Sequence, residues 1–201
     1  MVLVALACVA TACASSGFHY VKNSDDHTYF KVPDSWRLYH EDAVLAADSS
    51  LTSDERSALR DSGWQTAFDA DPRPSVRHLR HADNRFPTGE AIVQHLSASV
   101  ADTMSLESLR NLFFDIDGTG KDPAATIVSY DPVSFDGGFH GSHVVARLTK
   151  GTSSFTVNQI AVLDSDTSKV YAIVVACSTS CYHRQQSKIE KILDSWTVTD
   201  G

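Results

Sequence analysis

Along this chain, short segments in which every second residue is apolar are interspersed with segments in which apolar residues recur every three or four positions, as on one face of a helix. In the first half, strands are predicted where apolar and polar residues alternate, with turns where Pro, Asp, Ser or Gly cluster. A helix is predicted to begin at Thr52, because Thr52 and Glu55 have the spacing of a capping box, and to end near Gly63, which suits the left-handed position past a helix. The strands predicted here are residues 28–32, 36–40, 64–70, 76–81 and 90–96.

A helical stripe is present near the middle of the chain. Four apolar residues recur at i, i+3, i+4 and i+7: Leu109, Leu112, Phe113 and Ile116. This spacing predicts an amphipathic helix over residues 105–117, with Ser105 as its N-cap and Gly118 as its stop. Asp115 and Asp117 would then flank a core-facing residue in the last helical turn.

The last third of the chain predicts a meander followed by a helix. Its strands are predicted at residues 126–130, 133–135, 143–149, 154–163 and 169–176. The last three are joined by connections of a few residues, which permit antiparallel hairpins and are too short for parallel crossovers. Residues 181–196 carry a second apolar stripe at helical spacing. The fold class predicted is α+β, with an antiparallel, meander-rich sheet flanked by helices.

Composition and charge narrow the class of protein. The chain has 201 residues, of which 42% are hydrophobic, and a formal net charge of −8. That length suits one well-buried core, so a single domain is expected. Proteins that bind nucleic acid present a basic surface to the phosphates, and this chain has an acidic balance instead. No nucleic-acid partner is therefore expected.

The first residues have the character of an export signal. Residues 1–12 are uncharged and mostly apolar, and the segment ending at Cys13 resembles a bacterial lipobox. We expect a signal peptide over 1–12, lipid attachment at Cys13, a tether over 13–20 and a domain over 21–201. The protein would then be exported and held at the extracytoplasmic face of the cell membrane. The alternative is a plain secretory signal in which Cys13 carries no lipid.

Two further cysteines, Cys177 and Cys181, lie four residues apart. In an exported chain, a close pair is most simply a disulfide that closes a tight loop. Zinc ligation is the alternative, but a structural zinc site needs about four ligands, and His183 is the one further candidate nearby in sequence. We therefore predict a disulfide and assign no metal ligands.

The DxDGT stretch beginning at Asp115 resembles the nucleophile motif of haloacid dehalogenase-type phosphotransferases. The resemblance implies that Asp115 is the nucleophile and Asp117 the general acid/base of a magnesium-dependent phosphohydrolase. The calcium loop of an EF-hand is matched at its positions 1, 3, 5 and 6 by Asp115, Asp117, Thr119 and Gly120, but its closing position is Thr126 and not a glutamate. Because a helix precedes Asp115 and hairpins follow it, we assign no catalytic residue and no cofactor.

Two pairs of histidines and one glycine-rich segment are weaker candidates for a functional site. His78 with His81, and His140 with His143, have a spacing that places partners on opposite faces of a strand, so surface or turn histidines are expected. The glycine-rich residues 137–142 lead into a strand and not a helix, which favours a tight turn over a phosphate site.

The set Phe30-x-x-Pro33-x-x-Trp36, the meander, and a terminal helix followed by Trp196 resemble the PsbP-like fold, which includes LpqN-type actinobacterial lipoproteins. The chain is also similar to uncharacterised exported proteins of high-GC actinobacteria. The resemblance implies a binding or assembly role more than catalysis. Together with the export signal, Cys13 and the lack of an assembled catalytic set, it leads us to expect an envelope protein or a small ligand as partner. It carries over no functional residue, because the matching positions are core positions.

Overall fold

The computed structural model describes residues 17–118 and 125–200. Within them the chain forms an α+β fold, as predicted. The strands are β1 (Phe18–Asn23), β2 (Thr28–Pro33), β3 (Arg37–His40), β4 (Gly63–Asp69), β5 (Thr88–His95), β6 (Thr126–Phe135), β7 (Phe139–Lys150), β8 (Ser153–Leu163), β9 (Lys169–Ser178) and β10 (Thr197–Val198). The helices are α1 (Glu41–Ala47), α2 (Ser53–Asp61), α3 (Ala98–Ala101), α4 (Leu106–Arg110) and α5 (Thr179–Leu193), with a 3₁₀ helix at Val76–Arg80.

The larger sheet has the order β3-β4-β5-β9-β8-β7-β6, and each neighbouring pair is antiparallel. The predicted meander is therefore confirmed for β7, β8 and β9. The two strands predicted at 126–130 and 133–135 are one strand, β6, whose register shifts between Ile127 and Ser129. The smaller sheet has the order β1-β2-β10, so it joins the two ends of the domain.

One face of the larger sheet, here called the packed face, is covered by α5 and the smaller sheet. Its side chains alternate with those of the opposite face and include Phe68, Val93 and Ile173, each at most 2% exposed. From α5, Ile189 and Ile192 complete this core and are fully buried. A 15-residue helix presents several turns of apolar stripe to the sheet, which is why one helix can close most of this face.

The opposite face, here called the cleft face, is covered by shorter pieces. Alternation along β5 places Glu90 and Ile92 there, because Ala91 and Val93 belong to the packed face. Its cover consists of α1, α2, α4, the 3₁₀ helix and the irregular segment 111–117. Of these, α2 contributes no buried residue and α1 contributes one, Leu45.

The helix predicted over residues 105–117 is shorter than expected, because α4 ends at Arg110. The side chain of Asn111 explains the break. Its Oδ1 accepts hydrogen bonds from the backbone N–H groups of Ile116, at 2.8 Å, and Asp117, at 3.1 Å. These bonds hold a turn that competes with further helix. Ile116 is nevertheless buried, as the stripe predicted.

Three other expectations about the backbone were wrong or incomplete. The segment predicted as a strand at 76–81 is the 3₁₀ helix, whose first turn is capped by the hydroxyl of Ser75. Gly63 does not end α2 in the left-handed region but begins β4, where a Cβ would collide with the carbonyl of Val93. The pattern also missed α1, α3, β1 and β10, and β1 begins at Phe18, inside the segment expected to be a tether.

The capping box predicted at the start of α2 is confirmed. The hydroxyl of Thr52 accepts from the backbone N–H of Glu55, and the Glu55 carboxylate accepts from the N–H of Thr52. Between residues 17 and 118 and between 125 and 200, no helix combines the length and the apolar character needed to cross a bilayer.

Candidate functional site

The two aspartates of the DxDGT stretch occupy different environments. Asp117 is held by the guanidinium of Arg110, with Nε 2.9 Å from Oδ1 and Nη2 2.7 Å from Oδ2. The Asn111 amide donates a further bond to Asp117 at 2.6 Å. The hydrogen bonds from Arg110 hold the pKa of the Asp117 carboxyl below its usual range. Asp117 therefore anchors the turn that follows α4, and a carboxylate tied in this way is poorly placed to exchange protons with a substrate.

Asp115 lines a separate surface cavity of about 450 Å³ together with His81, Phe114 and Phe155. It follows an irregular segment and not a strand. In the phosphotransferase family the nucleophile is presented at the end of a strand in a parallel sheet, whereas the larger sheet described here is antiparallel. The remaining candidates of the motif and of the calcium loop, Thr119 and Gly120, lie outside the described residues.

The other predicted positions have structural roles. Cys177 and Cys181 form the predicted disulfide, with their Cα atoms 5.9 Å apart. His78 donates from Nδ1 to the buried carboxylate of Asp69 at 2.8 Å, and His143 lies 2.6 Å from the Oδ1 of Asn158. Cys13 and the predicted signal lie outside the described residues.

The glycine-rich segment forms the tight turn that was expected between β6 and β7. Gly137 and Gly138 both have a φ of 84°, a conformation that strongly favours glycine. A Cβ on Gly137 would also collide with the carboxylate of Asp200. Within the described residues, the structure brings together no group of three or more His, Cys, Asp or Glu side chains suited to a metal ion.

The feature that sequence reasoning missed is a cleft of about 510 Å³ on the cleft face. Its floor is formed by Gln65 of β4 and by Glu90 and Ile92 of β5. The α1 and α2 helices and the 3₁₀ helix form its roof, and Phe113 forms one wall. The larger apolar side chains that line the cleft from these helices and from the linker between α1 and α2 are Val44, Leu45, Leu51, Leu59, Val76 and Leu79. Clefts of this size, mostly apolar with a few polar groups, are typical of sites for small ligands.

Glu90 lies at the bottom of this cleft. Part of its surface remains accessible through the opening, while protein atoms on the other sides remove most of its hydration. Burial raises the pKa of the Glu90 carboxyl to about 7, because the charged form is poorly solvated. Among the described residues, no side chain or backbone group forms a hydrogen bond or ion pair with it. A deep carboxyl without a protein partner is available to a ligand.

Three other charged residues line the cleft. Arg80 donates from Nη2 to the carbonyl of Ala47 at 2.8 Å and lies 3.1 Å from the Asp48 carboxylate, so its charge is already balanced. Burial also raises the pKa of Glu41, against the opposing influence of Arg60. Among the described residues, the cleft is therefore lined by three carboxyl groups and one guanidinium, which is engaged with Asp48.

Alternation along β5 is the reason the sequence did not reveal Glu90. In the stretch Glu90-Ala-Ile-Val-Gln94, a polar residue at the strand start suggests a solvent-facing position. The signal that could have found it is Ile92, which shares its face and indicates that this face is at least half covered. The short helix α1 forms that cover, and its seven residues carry too little periodicity to be predicted.

Comparison with known proteins supplies a fold and no family. No family model matches the chain, and no curated protein is similar to it. Among solved structures, the cyanobacterial PsbP (CyanoP) from Synechocystis has 11% sequence identity and a TM-score of 0.54, and the match covers 95% of this chain and 98% of that one. This similarity confirms the PsbP-like fold predicted from the sequence.

Two weaker matches have different described roles. LpqN of Mycobacterium tuberculosis, involved in cell envelope biogenesis, has 15% identity and a TM-score of 0.49, with 91% of each chain covered. The Ran-binding protein Mog1p of Saccharomyces cerevisiae has 11% identity and a TM-score of 0.45, covering 92% of this chain and 97% of that one. Sequence identities this low carry no statement about the function of this chain.

Proposed function

We propose that this protein is an exported, lipid-anchored binding protein of the cell envelope that holds a small ligand in the cleft above Glu90 and catalyses no reaction on it. The observation that supports this function is the Glu90 carboxyl, which has no partner among the described residues and lies at the bottom of a largely apolar cleft. Apolar walls provide affinity through burial, and a single polar group at the end of the cleft fixes orientation.

The envelope location rests on the sequence of residues 1–13, with the lipobox-like segment before Cys13. A lipid on Cys13 would hold the domain at the membrane surface. Mass spectrometry of the mature N-terminus tests this part of the proposal. We expect a chain that begins at Cys13 and carries the mass of a diacylglycerol group. An unmodified N-terminus at any other residue would contradict the anchor.

Photo-crosslinking in the cells that make the protein tests whether the cleft holds a ligand. A benzophenone amino acid at Leu79, in the cleft roof, should give a small-molecule adduct after irradiation. The same amino acid at the exposed Lys188 of α5 is the matched control and should give none. Adducts of equal yield at both positions, or none at Leu79, would contradict a ligand-binding cleft.

The phosphohydrolase alternative has its own test. Wild-type protein and the Asp115→Asn variant are compared in a phosphatase assay with magnesium. We expect no activity above background in either protein. Activity that requires Asp115 would overturn the non-catalytic function, whatever the crosslinking result.

A further inference from the structure

The charges around the cleft determine which kind of ligand it suits. The ionisable residues that line it are Glu90 from β5, Glu41 from α1, Asp48 after α1 and Arg80 from the 3₁₀ helix. β4 contributes Gln65, which is uncharged. Since Arg80 is engaged with Asp48, no other cation among the described lining residues is left to neutralise Glu90.

Each class of ligand has a different consequence for Glu90. An anionic ligand would face a poorly solvated carboxyl of like charge, which is unfavourable. A neutral ligand would displace water from Glu90 without replacing its charge interactions. A cation would supply the missing opposite charge, so that the desolvation cost of the carboxylate is offset by a close, charge-assisted hydrogen bond.

The lining of the cleft walls indicates what the uncharged part of the ligand should be. Apart from Ser62, Gly63, Gln65 and Gln94, the uncharged residues that line the cleft are aliphatic or aromatic, with Ile92 on the floor, Leu79 above and Phe113 at one side. A small inorganic cation would leave these surfaces in contact with water. An organic cation with an apolar body would cover them, and aromatic walls add a favourable interaction with an ammonium group.

We propose that the cleft binds an organic monocation, with its ammonium group at the Glu90 carboxylate and its apolar body between Ile92, Leu79 and Phe113. This inference rests on the proposed function and names the ligand class for the same site. It makes Glu90 the residue that determines specificity, with the apolar walls providing most of the contact area.

Binding should depend on pH, because the cation requires ionised Glu90. With the Glu90 pKa at about 7, most free protein carries the protonated carboxyl at pH 6 and the ionised carboxyl at pH 8. A cation that binds the ionised form should therefore bind about tenfold more weakly at pH 6 than at pH 8 and should release close to one proton at pH 6. A simple apolar site has neither property.

Three matched compounds test the proposal: 3-phenylpropylamine, 3-phenylpropanol and 3-phenylpropionate. Their binding to the full mature chain is measured by isothermal titration calorimetry at pH 6 and pH 8, in buffers of different ionisation enthalpy. At pH 8 we expect the amine to bind at least about tenfold more tightly than the alcohol, a difference of roughly 1.4 kcal/mol, and the carboxylate to bind most weakly.

Two variants are compared in the same way. Glu90→Gln should abolish the preference for the amine, whereas Glu107→Gln, on the exposed side of α4, should preserve it.

The outcomes separate this inference from the proposed function. Equal affinity for amine and alcohol, or a preference for the amine that survives Glu90→Gln, would overturn the cation class while leaving a ligand-binding cleft in place. Failure of the amine to bind at millimolar concentration would also overturn the cation class. The crosslinking experiment at Leu79 decides separately whether the cleft is occupied in the cell.

Discussion

The packed face and the cleft face belong to the same sheet but differ in whether their buried polar side chains have hydrogen-bond partners. On the packed face, Asn158 has a hydrogen-bond partner for its side-chain oxygen in His143 and donates from its amide to the Tyr182 hydroxyl, and the indole of Trp196 donates to Thr28. On the cleft face, the Oε1 of Gln159 is buried without a hydrogen-bond partner within the described chain, and Glu90 also lacks one.

This difference follows from the elements that cover each face. α5 is 15 residues long and buries five of its side chains, so it closes the packed face almost continuously. α1, α2 and α4 have seven, nine and five residues, and short helices cannot present a long apolar stripe. Gaps remain between them, and the cleft is one of these gaps. The packed face therefore contains the larger share of the buried apolar side chains, and the cleft face keeps an opening between its covering elements.

A matched pair of substitutions gives the largest expected contrast. Ile173→Ala removes a fully buried side chain from the packed face, and Ile92→Ala removes a partly exposed one from the cleft floor. We expect the free energy of unfolding to fall by about 3 kcal/mol for Ile173→Ala, which creates a closed cavity. For Ile92→Ala we expect about 1 kcal/mol, since the cavity is already open. Urea denaturation measures both, and equal losses would show that the two faces are packed alike.

The second contrast is the pH dependence of stability that Glu90 confers on the cleft face. Its folded pKa of about 7 lies above the ordinary value of 4.5, so the folded state binds the proton more tightly than the unfolded state. Its contribution to stability is fully present below pH 4.5 and is lost as the pH rises through 7. A shift of this size corresponds to at most about 3 kcal/mol, and partial access of water through the cleft reduces it.

We therefore expect Glu90→Gln to raise the free energy of unfolding by about 2 kcal/mol at pH 8 and to change it little at pH 4.5. Urea denaturation of both proteins across this range measures the difference. Asp26 and Asp117 have lowered pKa values, so their contributions are lost only as the pH falls below about 4. They are also common to both proteins and cancel. A difference that does not vary with pH would contradict a buried, unpartnered Glu90.

The two faces also differ in how far the sequence predicts them. Residues 143–176 alternate and are joined by short turns, so the local pattern sufficed to predict an antiparallel meander. The stripe of α5 is likewise long enough to be recognised. The cleft face depends on interactions that no periodicity encodes, such as the side chain of Asn111 ending α4 and Ser75 starting the 3₁₀ helix. Ile92 indicates that the face of Glu90 is partly covered, but no pattern within β5 shows which elements form that cover or that a cleft lies beneath them.

The disulfide should matter for the packed face alone. It joins the end of β9 to the first turn of α5, and both cysteines are fully buried. Replacing Cys177 and Cys181 together with Ala removes a short covalent loop, which should lower the free energy of unfolding by about 2 kcal/mol. Hydrogen exchange should accelerate in α5 and remain unchanged in α1 and α2. A stability loss confined to the cleft face would contradict this assignment.

The smallest expected effect concerns helix capping, and it separates local from global stability. Thr52→Ala removes the capping box of α2 and should cost that helix about 1 kcal/mol. Because α2 buries no side chain, the loss should appear as about fivefold faster amide exchange in α2, with the global free energy of unfolding lowered by less than about 0.5 kcal/mol.

Ser178→Ala at the N-cap of α5 is the matched control. There the same loss should appear in global unfolding, since α5 cannot open without exposing Ile189 and Ile192. A global loss for Thr52→Ala as large as that for Ser178→Ala would mean that the cleft roof unfolds together with the core, and the cleft face would then be as rigid as the packed face.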